Sequence, residues 1–293
     1  TSFRAVLGGG VAGFSAALHA GEMGANVCLI EKDRIGGSSI KRHYPLSIVR
    51  EYMISANVDC SSDPRSDGFW DHMNASLDSI PNKWMESLAS RRVEIKFGSG
   101  ALINNAEILV QQDGREEVIK AGKIIIATGS TPVAIPSLPF DGEFIVSEDD
   151  VLSSRKIPEN VLIVGGSVLA CETAVLLALL GSKVIICHEG KHVLEGLDPD
   201  VLLALESAMK KHKIKLLLGK RPVSIFKNDG KIDVTLDGEI KFTTDKIIQA
   251  LMRCANSGMI DCRSGIRLGD RKEVLVNEKM ESTLGGVYAV GSV

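Results

Sequence analysis

No two cysteines in this chain are spaced as Cys-x-x-Cys or Cys-x-x-x-x-Cys. Cys28, Cys60, Cys171, Cys187, Cys254 and Cys262 are scattered, and several sit in apolar runs where cysteine behaves as a small hydrophobe. That excludes a local dithiol motif and points to core positions; Cys60, in the Ser-rich stretch 57–67, is the one thiol expected at the surface. No apolar run reaches the roughly 18 residues of a membrane span. The formal net charge is −3 with no long block of Lys or Arg, so there is no electrostatic footprint for nucleic acid or anionic lipid. His43, His188 and His192 lack ligand-like spacing with cysteine or carboxylate, which argues against a metal site. The N-terminus runs into a strand pattern rather than a signal peptide, and with the cysteine usage this favours a cytoplasmic protein. The partners left open are small molecules or proteins.

What is present is an internal repeat. An apolar strand ending at Leu7, the turn Gly8-x-Gly10-x-x-Gly13, a helical stretch and a second apolar strand ending at Glu31 return as a strand ending at Val164, then Gly165-x-Ser167-x-x-Ala170, a helix and a strand ending at His188. In each copy the last strand residue lies 23 positions after the first glycine, and the two copies stand at a constant offset of 157. Strand, glycine turn, helix and strand make the start of a βαβ unit, so the fold class is α/β with two Rossmann-like domains. Between the copies, 69–91 reads as a helix containing Pro81, and 93–96, 107–111 and 123–127 as strands. Pro132, Pro136 and Pro139 mark a crossover. After the second copy, Pro199–Lys211 reads as a helix and Lys215–Leu218 and Lys231–Leu236 as strands, and 274–290 returns to strand character.

The first copy has the chemistry of a dinucleotide site. Gly8 makes the tight turn, Gly10 lets backbone approach a pyrophosphate, and Gly13 lets helix and sheet pack closely. The helix start presents free N–H groups and partial positive charge to phosphate. Glu31 can accept both ribose hydroxyl protons of an adenosine. The second copy differs at three places: Ser167 adds a side chain where a pyrophosphate would pass, Ala170 stands at the third glycine, and His188 replaces the ribose-binding acid, with Glu189 one residue later. No arginine cluster follows its second strand, which tilts the reading toward NADH over NADPH, although Lys191 and His192 are close by.

Taken with Ala127-Thr128-Gly129-Ser130-x-Pro132, Glu172 and the closing stretch 274–293, these motifs resemble the pyridine nucleotide-disulfide oxidoreductases, most nearly the dihydrolipoamide dehydrogenases, over nearly the whole chain. The resemblance implies an FAD domain, 1–146 plus 264–293, with an NAD(P) domain, 147–263, inserted into it. It implies FAD contacts at Gly8, Gly10, Gly13, Glu31, Gly37, Ser38, Gly100, Thr128, Gly129 and Ser292. NAD(P) contacts are implied at Gly165, Ser167, Ala170, Glu172 and His188.

The chain also departs from that pattern. Where the family carries its redox cysteines, Gly36-Gly37-Ser38-Ser39 and the residues after it place Ser39 and Tyr44, and neither side chain can cycle between thiolate and disulfide. Leu46 and Ser47 occupy the neighbourhood of the family's flavin-side lysine, and the same alignment sets His43 and Tyr44 over the flavin ring. Ser292 replaces an aspartate toward the ribityl chain, and Met252 replaces a glycine beside the nicotinamide dinucleotide. The family's C-terminal interface domain, with its acid–base histidine and glutamate, has no counterpart in these 293 residues, so no catalytic dyad is named; a homodimer is expected if the natural chain carries that domain. The expected function is transfer of electrons from NAD(P)H through FAD to a small-molecule or protein acceptor that is not a disulfide. The alternative is a catalytically degenerate flavin-binding, assembly or sensor protein.

Overall fold

The computed structural model describes residues 3–42, 44–55, 67–151, 156–261 and 264–293. In chain order its elements are β1 (Arg4–Leu7), α1 (Val11–Glu22), β2 (Val27–Glu31), α2 (Gly37–Arg42), α3 (Tyr44–Ser55), α4 (Asp67–Ser90), β3 (Glu94–Phe97), β4 (Ser99–Asn104), β5 (Glu107–Gln112), β6 (Arg115–Lys120), β7 (Lys123–Ile126), β8 (Ser130–Val133) and β9 (Ile145–Ser147). They continue with β10 (Asn160–Val164), α5 (Val168–Leu179), β11 (Lys183–His188), α6 (Pro199–Lys211), β12 (Lys215–Leu218), β13 (Pro222–Asn228), β14 (Lys231–Leu236), β15 (Lys241–Thr244), β16 (Lys246–Gln249), β17 (Met252–Ala255) and β18 (Val287–Ala289).

The chain forms two compact units. The first comprises Thr1–Ile40, Leu77–Thr131 and Arg253–Val293, the second Lys41–Ser76 and Pro132–Met252. In the first, a parallel sheet runs β18-β7-β1-β2-β3. β1 lies between β2 and β7, so the chain leaves it in one direction and returns on the other side. A crevice therefore opens beyond its carboxyl end, where open α/β sheets bind ligands. The strands read as continuous apolar runs because both faces are covered: Val6, Leu29, Ala17 and Leu88 pack on one side, and Leu7, Ile30, Ile108 and Ile124 on the other. Each such buried aliphatic side chain contributes roughly 2 kcal/mol of transfer free energy. Phe14 of α1 stacks on Trp84 of α4 with ring centroids 4.3 Å apart, and α4 continues through Pro81.

The second unit repeats the plan as β12-β11-β10-β16-β9, with β10 between β11 and β16. α5 buries Ala170, Ala174 and Leu177 against it. An antiparallel β13-β14-β15 sheet covers the other face through Ile232, Val234 and Leu236.

The unit boundaries differ from those expected, which lay at 146/147 and 263/264. Segment 132–146 belongs with the second unit because Ile145 and Val146 pair with β16 and Gln249 donates to the Leu138 carbonyl. Residues 253–263 join the first because Arg253 and Asn256 bond to the 128–131 turn, and 41–76 group with the second, where α3 packs on α5. The expected strand character over 274–290 shrinks to β18 and isolated bridges. There the Asn277 carboxamide oxygen accepts the N–H groups of Lys279 and Glu281 and folds the segment into a turn.

Asp141 gives the second unit a pH dependence. Burial alone would raise its carboxyl. The Lys227 ammonium, 2.5 Å away, and the N–H groups of Ile145, Glu143 and Phe144 outweigh that and hold it down at about 2. Its folded value lies below its unfolded value, so its contribution is full above pH ~4 and is lost as pH falls toward 2. Asp141→Asn is expected to lower stability by ~1 kcal/mol near neutral pH after solvent screening, and to match the parent at the acid end of a urea-midpoint series.

Candidate dinucleotide sites

The first glycine turn is built by three different requirements. Gly8 holds φ +100°, and a Cβ there would run into the Ala127 carbonyl oxygen. A Cβ on Gly13 would strike the carbonyl oxygen of Gly8 and lie 3.2 Å from Ala127 Cβ, which is how α1 comes close to β1 and β7. Gly10 differs from both: a Cβ there meets nothing within 4 Å, so its bare Cα faces open space beside the helix start. As N-cap of α1 it supplies no side chain to the first-turn N–H groups. Those donors and that opening fit a pyrophosphate.

Glu31 sits at the end of β2, buried at 7% exposure, and accepts the N–H of Gly9 at 2.6 Å and of Asp33 at 2.9 Å. Each oxygen keeps a lone pair for a ribose hydroxyl. Gly36 donates to the Gly9 carbonyl at 2.8 Å, and Gly37 comes against Gly10, 3.2 Å from its hypothetical Cβ to Gly10 Cα. The start of α2 with Ser38 thus joins the same cradle. Gly100 is placed differently from the other expected flavin contacts: a Cβ there would strike Leu7 and reach Ile30 at 3.3 Å. It is a packing glycine that lets β4 lie on β1 and β2.

The Thr128-Gly129 turn is braced by residues sequence reasoning had not singled out. Asn256 donates from its backbone to the Gly129 carbonyl at 2.8 Å and from its carboxamide to the Thr128 carbonyl at 2.9 Å, while Thr128 Oγ1 donates to the Asn256 carbonyl at 2.8 Å. Arg253 donates to the Ser130 carbonyl at 2.6 Å and to its hydroxyl at 3.0 Å, and Ser130 donates to Ser292 Oγ at 3.2 Å. A Cβ at Gly291 would stand 3.0 Å from Ala12 Cβ, so the closing turn rests on the first turn of α1. The signal was the segment 251–256, read only for Met252.

In the second unit Gly165 repeats Gly8, at φ +134° with the Ala250 carbonyl blocking any Cβ. Ser167 does not repeat Gly10. Its hydroxyl donates to the Ala250 carbonyl at 2.8 Å and accepts the Ala170 N–H at 3.2 Å, so it is spent on the fold and caps α5. Ala170 is fully buried where Gly13 stands in the first copy, and Glu172, one turn into α5, is half-buried. The His188 ring lies over Gly166. Met252 is 53% exposed at the start of β17.

Ser39 lies in α2 and Tyr44 begins α3, both half-buried. His43, Cys60 and Cys262 lie outside the described residues. Burial pushes the thiols of Cys28 and Cys171 up to about 11 and that of Cys187 to about 12, so all three stay protonated and unreactive at neutral pH. Among the described residues no three of His, Cys, Asp and Glu gather as a metal would require, and no helix is long and apolar enough to cross a membrane.

Two parallel sheets, each with a glycine turn at its switch point, define an α/β protein of two Rossmann-like units. The family model for pyridine nucleotide-disulphide oxidoreductases matches residues 4–293, and the chain belongs to that family, whose members couple FAD to NAD(P)H. It is 27% identical over 307 aligned residues to the dihydrolipoyl dehydrogenase of Bacillus subtilis, covering 98% of this chain and 66% of that one. Among solved structures it is similar to LpdA from Mycobacterium tuberculosis, with TM-score 0.88, 23% identity, and coverage of 100% of this chain and 68% of that chain. It is also similar to the HOCl-induced flavoprotein disulfide reductase RclA from Escherichia coli, in its Cu(II) complex, with TM-score 0.85, 21% identity, and coverage of 99% and 66%. The chain spans about two thirds of the length of these proteins.

Proposed function

We propose that the chain is an FAD-dependent oxidoreductase that moves electrons from NAD(P)H to an acceptor other than a disulfide. The observation that carries this is the first-unit cradle: an open Gly10, an uncapped α1 start and a Glu31 carboxylate fixed by two backbone N–H groups. Bound there, FAD would supply two-electron chemistry between a hydride donor and an acceptor. The α1 N–H groups would hold its pyrophosphate, Glu31 its adenosine ribose, and Gly37, Ser38, Thr128, Gly129 and Ser292 the remainder. Ser39 and Tyr44, in place of a cysteine pair, support an acceptor that does not exchange thiols.

The second unit would orient the donor through Gly165, Ala170, Glu172 and His188. NADH and NADPH differ only at the adenosine 2′ position, which in this fold lies at the end of the second strand, where His188 stands. The capping hydroxyl of Ser167 favours a second reading, a flavin-binding protein that does not turn over. Anaerobic addition of NADH and then NADPH to the FAD-loaded chain separates the two. Bleaching of the visible flavin band supports the oxidoreductase, and a band that persists with both nucleotides leaves the flavin-binding reading.

A further inference from the structure

Helix α6 is buried on one face and apolar on part of the other. Leu202, Glu206 and Met209 turn inward. On the opposite side Val201 is 52% exposed and Ala204 and Ala208 also face solvent, with Leu203, 59% exposed, flanking them. Asp200 and Lys211 stand on the same stripe, at its two ends, because the eleven positions between their numbers make close to three helical turns.

The ends of the helix are oppositely charged. Asp198 and Asp200 lie at its start and Lys210, Lys211 and Lys213 at its close, all exposed. Asp198 is spent as the N-cap, accepting the Asp200 N–H at 2.9 Å. Among the described residues, neither the Asp200 carboxylate nor the ammonium groups of Lys210, Lys211 and Lys213 have an ion-pair partner. This order of charge suits the helix dipole. The dipole has no use for the valine and leucine exposed between the charges, where a lone surface helix is polar.

An anionic membrane or polyanion would be drawn to the lysines and repelled by Asp198 and Asp200. A second copy of α6 running antiparallel satisfies both ends at once. A two-fold axis passing between Ala204 and Ala208 sets the acidic end of each helix against the basic end of the other, with Val201, Ala204 and Ala208 of both copies between them. Alanines at the centre let the two axes approach to about 8 Å. We propose that the chain associates with a second copy of itself through α6, as an antiparallel two-fold dimer. One helix pair buries less than the roughly 800 Å² per partner of a stable interface, so the dimer is weak, with a dissociation constant on the order of 50 µM. The surface belongs to the second unit alone, and the proposal rests neither on what either unit binds nor on an interface domain.

The test is sedimentation equilibrium of the full chain. The average mass of the parent is expected to climb from that of one chain toward that of two between roughly 5 and 500 µM. Asp200→Lys and Lys211→Glu each oppose like charges twice across the two-fold axis, and each alone is expected to weaken the dimer about tenfold. Mixed in equal amounts, the two variants bring opposite charges together at both ends and are expected to form a heterodimer at about the parent's affinity, a recovery that a folding defect in either variant would not permit. A parent that stays monomeric throughout this range overturns the proposal. A dimer indifferent to both substitutions also overturns it, since association would then use another face, and so does a mixture that associates no better than its components.

Discussion

Gly10→Val is expected to fold like the parent chain and to bind FAD roughly a hundredfold more weakly, a loss of ~2.7 kcal/mol. The backbone of Gly10 is at φ −69° and ψ −176°, which any residue adopts, and its Cβ position meets no protein atom within 4 Å. The Cβ of the valine therefore meets no protein atom, and the cost to the fold is that of a poorer N-cap for α1, about 1 kcal/mol. What the valine fills is the space beside the α1 start that a pyrophosphate needs. The check is a pair of measurements on one variant: a melting temperature within a few degrees of the parent, and quenching of FAD fluorescence that no longer saturates at the parent's concentration. Undiminished FAD binding would mean that the pyrophosphate lies elsewhere.

Gly13→Ala, three residues on, is expected to do the reverse and act first on the fold. The new methyl would strike the Gly8 carbonyl and crowd Ala127, so α1 must lift from β1 and β7. Forced overpacking of this kind costs about 3 kcal/mol, which for a chain of this size lowers the melting temperature by roughly 10 °C. Calorimetry of the flavin-free chain isolates that effect from any loss of ligand. An unchanged melting temperature would show that the helix-to-sheet approach is looser than the structure has it. Together the two variants divide a single glycine fingerprint into a position that makes the fold and a position that serves the ligand.

The parts of the fold readable in the sequence are those whose residues obey a strict steric rule. Gly8, Gly13 and Gly165 could be read because a side chain at each would meet backbone, and β1, β2, β10 and β11 because burial on both faces leaves unbroken apolar runs. The repeat joined these signals into two βαβ units, and α6 and β12 were expected within the bounds they have. The strands β13 and β15 were not legible, because their exposed residues carry lysines and threonines that resemble loop, and their stability comes from pairing with β14. The point at which the chain returns to the first unit was hidden for a related reason: it depends on Asn256 and Arg253 reaching residues more than 120 positions earlier in sequence. At the sites, Ser167 could be seen to replace a glycine, but that its hydroxyl turns back to cap α5 requires the position of the Ala250 carbonyl.

Whether the first unit holds FAD is read from the flavin content of the chain after incubation with excess FAD and removal of the unbound cofactor. A yellow protein with one flavin per chain is expected, and a colourless protein that retains none would overturn FAD binding in the first unit.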